Sequence, residues 1–228
     1  MAGSQKDLSH VLWIGGSPCA GKSTIAHTIA RTHVFVGYFL DPMARNHVRR
    51  RLEKGDAAME AFVKMNVDQR WAARSIDTLF EEVLESWPVE FELAVEDLRA
   101  LPDDWFIVAE GNFFPQNVLP YLSSLNQAFW LVPTANFVEQ IRRKREAEQT
   151  ARRERQGITH DNTSAEKRLS NLIARDIRIA EYVRQEAIRL GVAYLDVDGS
   201  LSLEETTTRV AEHFSPWITE MLKRLNLF

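Results

Sequence analysis

Two hydrophobic rhythms alternate along the chain. Short, nearly continuous apolar runs read as strands buried on both faces of a sheet: His10–Ile14, Val36–Leu40, Trp105–Ala109, Ala128–Val132 and Val192–Val197. Between them, apolar residues recur at helical spacing. Ile25, Ala26, Ile29 and Ala30 mark a helix from about Lys22 to Thr32. Residues 43–101 read as helical throughout, with a break at Gly55-Asp56 and a punctuation at Pro88. Phe137, Val138 and Ile141 open a helix that then turns basic. Leu169, Leu172, Ile173, Ile177, Ala180, Val183, Ala187 and Leu190 form a long stripe that ends at Gly191. A last helix starts near Ser202, is interrupted at Ser215-Pro216 and continues to Leu225. Strands alternating with helices predict an α/β fold with a parallel sheet. The stretch between Asp41 and Trp105 is too long for a simple crossover. It predicts a helical insert, about 42–101, lying over the edge of the sheet where α/β proteins bind ligands.

The chemistry is concentrated at the first turn. Gly16-Ser-Pro-Cys-Ala-Gly21-Lys22-Ser23 fits G-x-x-x-x-G-K-[ST], with a buried-strand pattern before it and an amphipathic helix after it. Gly16 and Gly21 let the backbone wrap closely around phosphate, and Ser17, Cys19 and Ala20 contribute loop N–H groups. Lys22 reaches the β- and γ-phosphates of a nucleoside triphosphate, Ser23 sets its hydroxyl on Mg²⁺, and Thr24 adds a hydroxyl to the α-phosphate. Cys19 fills a variable loop position; the other reading, a thiol activated by the helix N-terminus, stays open. Asp41 ends the second strand and Glu110 the third, so both face the same edge as the loop. Asp41 either orients and deprotonates an acceptor hydroxyl or caps the next helix. Glu110 either supports Mg²⁺ or makes a structural hydrogen bond.

Composition narrows the class. Apolar residues are 45% and charged residues 26%, ordinary for a globular protein. The net charge of −4 argues against a general nucleic-acid binder. No run approaches a membrane span, the N-terminus lacks a signal core, and one cysteine excludes an internal disulfide, so the expectation is a cytoplasmic protein without membrane partners. The six histidines have no metal-ligand spacing. Arginine supplies 21 of the 28 basic residues, and seven basic residues crowd into 142–155 against three acids. Arg45, Arg49, Arg50 and Arg51 form a second cluster; Arg45 lies four residues after Asp41 and can share its helix face, and the other reading is a charged helix exterior. Asp176 interrupts an apolar stripe and calls for a partner, plausibly an arginine. Asp198-Gly199-Ser200 reads as a turn into the last helix.

Taken together, GGSPCAGKST, the Asp after strand two, a strand ending in Glu-Gly and an Arg-rich segment after strand four resemble the nucleoside-monophosphate-kinase-like group of P-loop small-molecule kinases. That group includes nucleotide, shikimate, gluconate and chloramphenicol phosphotransferases. Of these features only the P-loop is specific as a motif. The signatures of nucleoside-monophosphate acceptors are absent here, and the insert is long. The resemblance implies a three-layer P-loop fold, a five-stranded parallel sheet in the order 2-3-1-4-5, and one domain over 1–228. It also implies an arginine-bearing lid, here about 142–157, with Arg145 and Arg152 standing for its phosphate contacts; the other reading of that segment is a solvated helix with pairs such as Arg142/Glu146 and Lys144/Glu148. The expected activity is ATP- and Mg²⁺-dependent phosphoryl transfer to a small acceptor, with GTP as the alternative donor. The resemblance also implies that the helix bearing Asp41 and Arg45 helps hold the acceptor, where Arg45 would suit an anionic one, and that Asp198-Gly199-Ser200 lies where such kinases contact adenine. A nucleotide-dependent switch or slow ATPase, and a nucleic-acid end kinase, are the competing functions.

Overall fold

The computed structural model describes residues 8–157 and 164–224. Strand β1 (Val11–Gly16) leads into helix α1 (Lys22–His33) and strand β2 (Val36–Phe39). Four helices follow: α2 (Leu40–Glu53), α3 (Ala57–Lys64), α4 (Val67–Trp71) and α5 (Ile76–Ala100). Then come β3 (Ile107–Glu110), the short α6 (Pro115–Val118), two 3₁₀ turns, β4 (Ala128–Pro133) and α7 (Ala135–Arg155). Helix α8 (Ala165–Leu190), β5 (Tyr194–Val197) and α9 (Leu203–Arg224) complete the order. The polar break expected around 157–163 lies, beyond Gly157, outside the described residues.

The five strands are parallel and ordered β2-β3-β1-β4-β5, as expected. Their alternating side chains feed two cores, giving three layers. Val11, Trp13, Ile107, Ala109 and Trp130 face the side covered by α5 and α8, where Phe91, Val95, Ile179 and Val183 are buried. Leu12, Ile14, Val108, Phe129 and Leu131 face α1 and α9, meeting Ile25, Ile29, Phe214 and Trp217. The register sets Glu110 beside Ile14 and Phe39, so β1, β2 and β3 end together and their loops share one edge.

The structure departs from the sequence pattern in the insert, which also breaks after Lys64 and between Trp71 and Ile76, at Asp41, which lies in α2 and not at the end of β2, and at two prolines. Helix α5 runs unbroken through Pro88, and α9 through Pro216. A helix-interior proline costs about 3 kcal/mol. On α9 the opposing side is larger: Val210, Phe214, Trp217, Ile218 and Met221 are all buried, and each such side chain contributes about 1.5–3 kcal/mol. Leu79, Val83, Phe91, Ala94, Val95 and Leu98 do the same for α5. Tertiary burial therefore overrides the local stop signal.

The insert is pinned to α8. Buried Asn171 donates to the carbonyls of Trp71 (2.8 Å), Ala72 and Arg74 in the turn between α4 and α5, and Arg168 and Arg178 reach Asp68 and Asp77. The Gly55-Asp56 break is real: Gly55 has φ 75°, and Asp56 caps α3 by accepting from the Met59 N–H.

Because Pro216 is exposed inside a continuous helix, Pro216→Ala should raise unfolding stability by about 1–3 kcal/mol. Urea melts of the two proteins measure this; a destabilised variant would mean that the proline's restricted backbone, and not the packed face, fixes α9.

Candidate functional site

Gly16 leaves β1 with φ 128°, and a Cβ there would sit 2.1 Å from the Leu131 carbonyl oxygen, so only glycine fits. Gly21, at φ 77°, turns the chain into α1. Cys19 adopts φ 72°, an uncommon conformation for a residue with a side chain, and so bends the loop between them. No side chain caps α1, which leaves its first N–H groups without a side-chain partner at the loop.

Lys22 is the first residue of α1 and is buried. Its ammonium donates to the Ser17 carbonyl at 2.8 Å and to Asn112 Oδ1 at 3.1 Å. Burial pushes its pKa down, against the pull of Glu110 and Asp41. Glu110, buried at the end of β3, is pushed up by burial, while Lys22 and a hydrogen bond from Ser23 pull it back. Burial thus works against the charge of each group, and each favours the charged form of the other. Ser17 Oγ is buried with no partner among the described residues.

Lys22, Glu110 and Asn112 line a cavity of about 410 Å³ together with Pro18, Cys19, Ala20, Gly21, Ser23, Thr24, Asp41, Trp87, Arg142, Arg145 and Arg175. Asp41 lies in the first turn of α2, whose N-cap is Phe39 with no side-chain cap bond; Asp41 is not the cap. Burial raises the Cys19 pKa, only partly offset by Arg142, so the thiol is not an activated one. Arg145 Nη1 lies 4.0 Å from its sulfur.

Behind the basic wall, Asp176 is fully buried and takes two arginines at once. Arg142 binds Oδ2, with Nε at 2.6 Å, and Arg175 binds Oδ1 through Nε at 3.0 Å and Nη2 at 2.7 Å. This meets the expectation that Asp176 has an arginine partner. The Arg142/Glu146 pair expected from spacing does not form: Arg142 turns inward to Asp176, and Glu146 meets Arg153 at 3.8 Å.

Of the residues chosen from sequence, the fold gathers Cys19, Ala20, Gly21, Lys22, Ser23, Thr24, Asp41, Glu110 and Arg145 on one cavity; Gly16 and Ser17 precede them in the same loop and are not part of its lining. Arg45 and Arg152 are exposed and do not line it. The rest of the first arginine cluster is tied up in ion pairs: Arg49 with Glu53, Arg50 with Asp97 and Glu96, and Arg51 with Asp56. Sequence reasoning missed Trp87, Asn112, Arg142 and Arg175. Asn112 could have been found, since it follows Glu110-Gly111 at the same edge. Trp87 and Arg175 sit within helical stripes that look like core and surface, and carry no local signal. Asp198 accepts from Ser200 N–H and Oγ, which makes Asp198-Gly199-Ser200 a side-chain-closed turn.

Among the described residues no group of three or more His, Cys, Asp and Glu is placed to hold a metal ion, and no helix is long and apolar enough to cross a membrane. Removing Asp176 would leave two cations facing each other in a dry wall. Asp176→Leu should therefore cost about 3–5 kcal/mol of stability in chemical denaturation, against well under 1 kcal/mol for an exposed pair such as Arg49–Glu53. A loss below 1 kcal/mol would show that water reaches the cluster.

No family model and no curated protein matches the chain. Among solved structures it is similar to a "putative kinase" from Chloroflexus aurantiacus J-10-fl, at 14% identity and a TM-score of 0.42, over 92% of this chain and 99% of that one. That likeness is too remote to carry chemistry from one chain to the other.

Proposed function

We propose that the protein transfers a phosphoryl group from ATP, with Mg²⁺, to a hydroxyl of a small molecule bound beneath the helical insert. The observation that carries this reading is a buried lysine at the end of a glycine loop, sharing one cavity with a carboxylate at the end of β3 and another in the first turn of the helix after β2. Its volume of about 410 Å³ suits a small ligand.

The loop fits a phosphate ligand on its own features. Gly16 admits no Cβ, the first turn of α1 is uncapped, Lys22 is already inside the wall, and Ser17 Oγ lacks a partner. Lys22 and the loop N–H groups would hold the β- and γ-phosphates. Ser23 and Glu110, already hydrogen-bonded to each other, would hold Mg²⁺. The ion supplies charge neutralisation at the phosphate oxygens, and few protein ligands are needed because phosphates provide the rest. Asp41 would orient the acceptor hydroxyl and take its proton. Arg145 would place positive charge where the transferring group develops negative charge. The basic half of α7 is proposed to act as the lid; Arg152, two turns beyond Arg145, would reach the site only if that helix moves. The chain works in this reading as one unit, with GTP as the alternative donor.

Lys22→Ala should abolish ATP-dependent phosphorylation in a screen over hydroxylated metabolites while leaving the far-UV circular dichroism unchanged. Near-normal turnover in that variant would sink the phosphate-loop reading. Asp41→Asn should lower kcat by about 100-fold or more with little change in nucleotide affinity, because an amide fills the space without accepting the proton. Asp41 is exposed, so stability should hold; a parallel loss of folding and activity would make the residue structural.

A further inference from the structure

The cavity is electrically lopsided. Arg142, Arg145 and Arg175 come from α7 and α8, with Lys22 at the loop. Helices α2 and α5 contribute Asp41 and Trp87 to the cavity lining, and no cation. The insert has arginines in plenty, yet Arg50 and Arg51 are held by acidic partners and Arg45 points its charge elsewhere than the cavity lining. Glu90, one turn along α5 from Trp87, is half-buried and feels the charge of Asp41, as well as those of Arg51 and His47.

The basic side is weaker than its arginines suggest. Asp176 neutralises part of Arg142 and Arg175, and Glu110 faces Lys22. Four cations against Asp41, Glu110 and Asp176 leave a surplus of one charge. A triphosphate with its Mg²⁺ is itself a net anion and takes up that surplus. An acceptor bearing its own carboxylate or phosphate would then add a negative charge next to Asp41 after that surplus has been taken up, which is unfavourable in a partly desolvated site.

A carboxylate and an indole lining one cavity are the chemistry that holds an ammonium group: the ring face attracts a cation, and the carboxylate accepts its N–H bonds. Trp87 is no loose side chain, since its ring packs on Phe114 with centroids 5.1 Å apart. We infer that the acceptor is a hydroxyl-bearing amine, cationic at neutral pH, whose ammonium is held by Asp41 and Trp87. This rests on the phosphotransferase reading, which makes the cavity an acceptor site. Asp41 has two oxygens and can accept from the hydroxyl with one and from a neighbouring ammonium with the other.

Phenylethanolamine, phenylethanediol and mandelate test the inference, because they share a ring and a secondary hydroxyl and differ in a terminal ammonium, hydroxyl or carboxylate. Their binding to the full chain, with and without a non-hydrolysable ATP analogue and Mg²⁺, is read by ligand-observed NMR. The amine should bind roughly tenfold more tightly than the diol, and mandelate more weakly than either. The preference should vanish in Asp41→Asn and Trp87→Leu and return in Trp87→Phe; thermal melts check that each variant is folded. Equal binding of the three, tighter mandelate, no binding by any, or a preference untouched by Asp41→Asn overturns the inference. A separate ATP–Mg²⁺ titration distinguishes the two levels. Failure of nucleotide to bind overturns the phosphotransferase reading itself, whereas nucleotide binding without the amine preference overturns the choice of acceptor alone.

Discussion

Lys22 holds an ammonium group out of water at the point where β1 gives way to α1, and most of the site follows from making that tolerable. Desolvating a cation costs on the order of several kcal/mol unless acceptors surround it. The Ser17 carbonyl and Asn112 supply two, and Glu110 supplies the opposite charge. The loop must curl back to present its carbonyl, which calls for Gly16 against Leu131, the positive φ of Cys19, and Gly21. Glu110 must end its strand level with β1, which the parallel register of β3 secures.

Asp176 does for the arginines what Glu110 does for the lysine. A single buried carboxylate fixes one guanidinium from α7 and one from α8, and Arg175 also lies over the Trp71 ring of the insert, 5.1 Å from its centroid. The cluster therefore joins the helix after β4, the long stripe of α8 and the end of α4. Asn171 adds three hydrogen bonds to the same junction. Helix α7, helix α8 and the insert share one polar seam, and a shift in any of them must disturb the others.

The insert owes its position to that seam and to α5. Phe91, Val95 and Leu98 bury against the sheet, while Trp87, one turn earlier, reaches the cavity wall. The same helix that closes one core thus carries an aromatic surface to the ligand side, and Pro88 does not stop it because the buried face on either side is long.

Much of this was legible in the residues. Apolar runs fixed the five strands to within a few positions, since a buried parallel strand must be apolar on both faces. The glycine-lysine loop and the carboxylates at or just after two strand ends were legible because chemistry of that kind needs particular residues at particular spacings along one segment. Asp176 announced a partner because a carboxylate in an apolar stripe cannot stand alone. What remained hidden is whatever depends on two distant segments meeting. Arg142 and Arg175 look like surface residues until the fold sets them on either side of Asp176; Arg45 has the right spacing from Asp41 and still lies outside the cavity, because side-chain direction depends on how α2 packs. Pro88 and Pro216 are local stop signals, and only the burial of the faces around them decides that the helices continue. Local spacing determines which groups are available, but charge and burial at a site are sums over the whole fold, and those the tertiary structure alone decides.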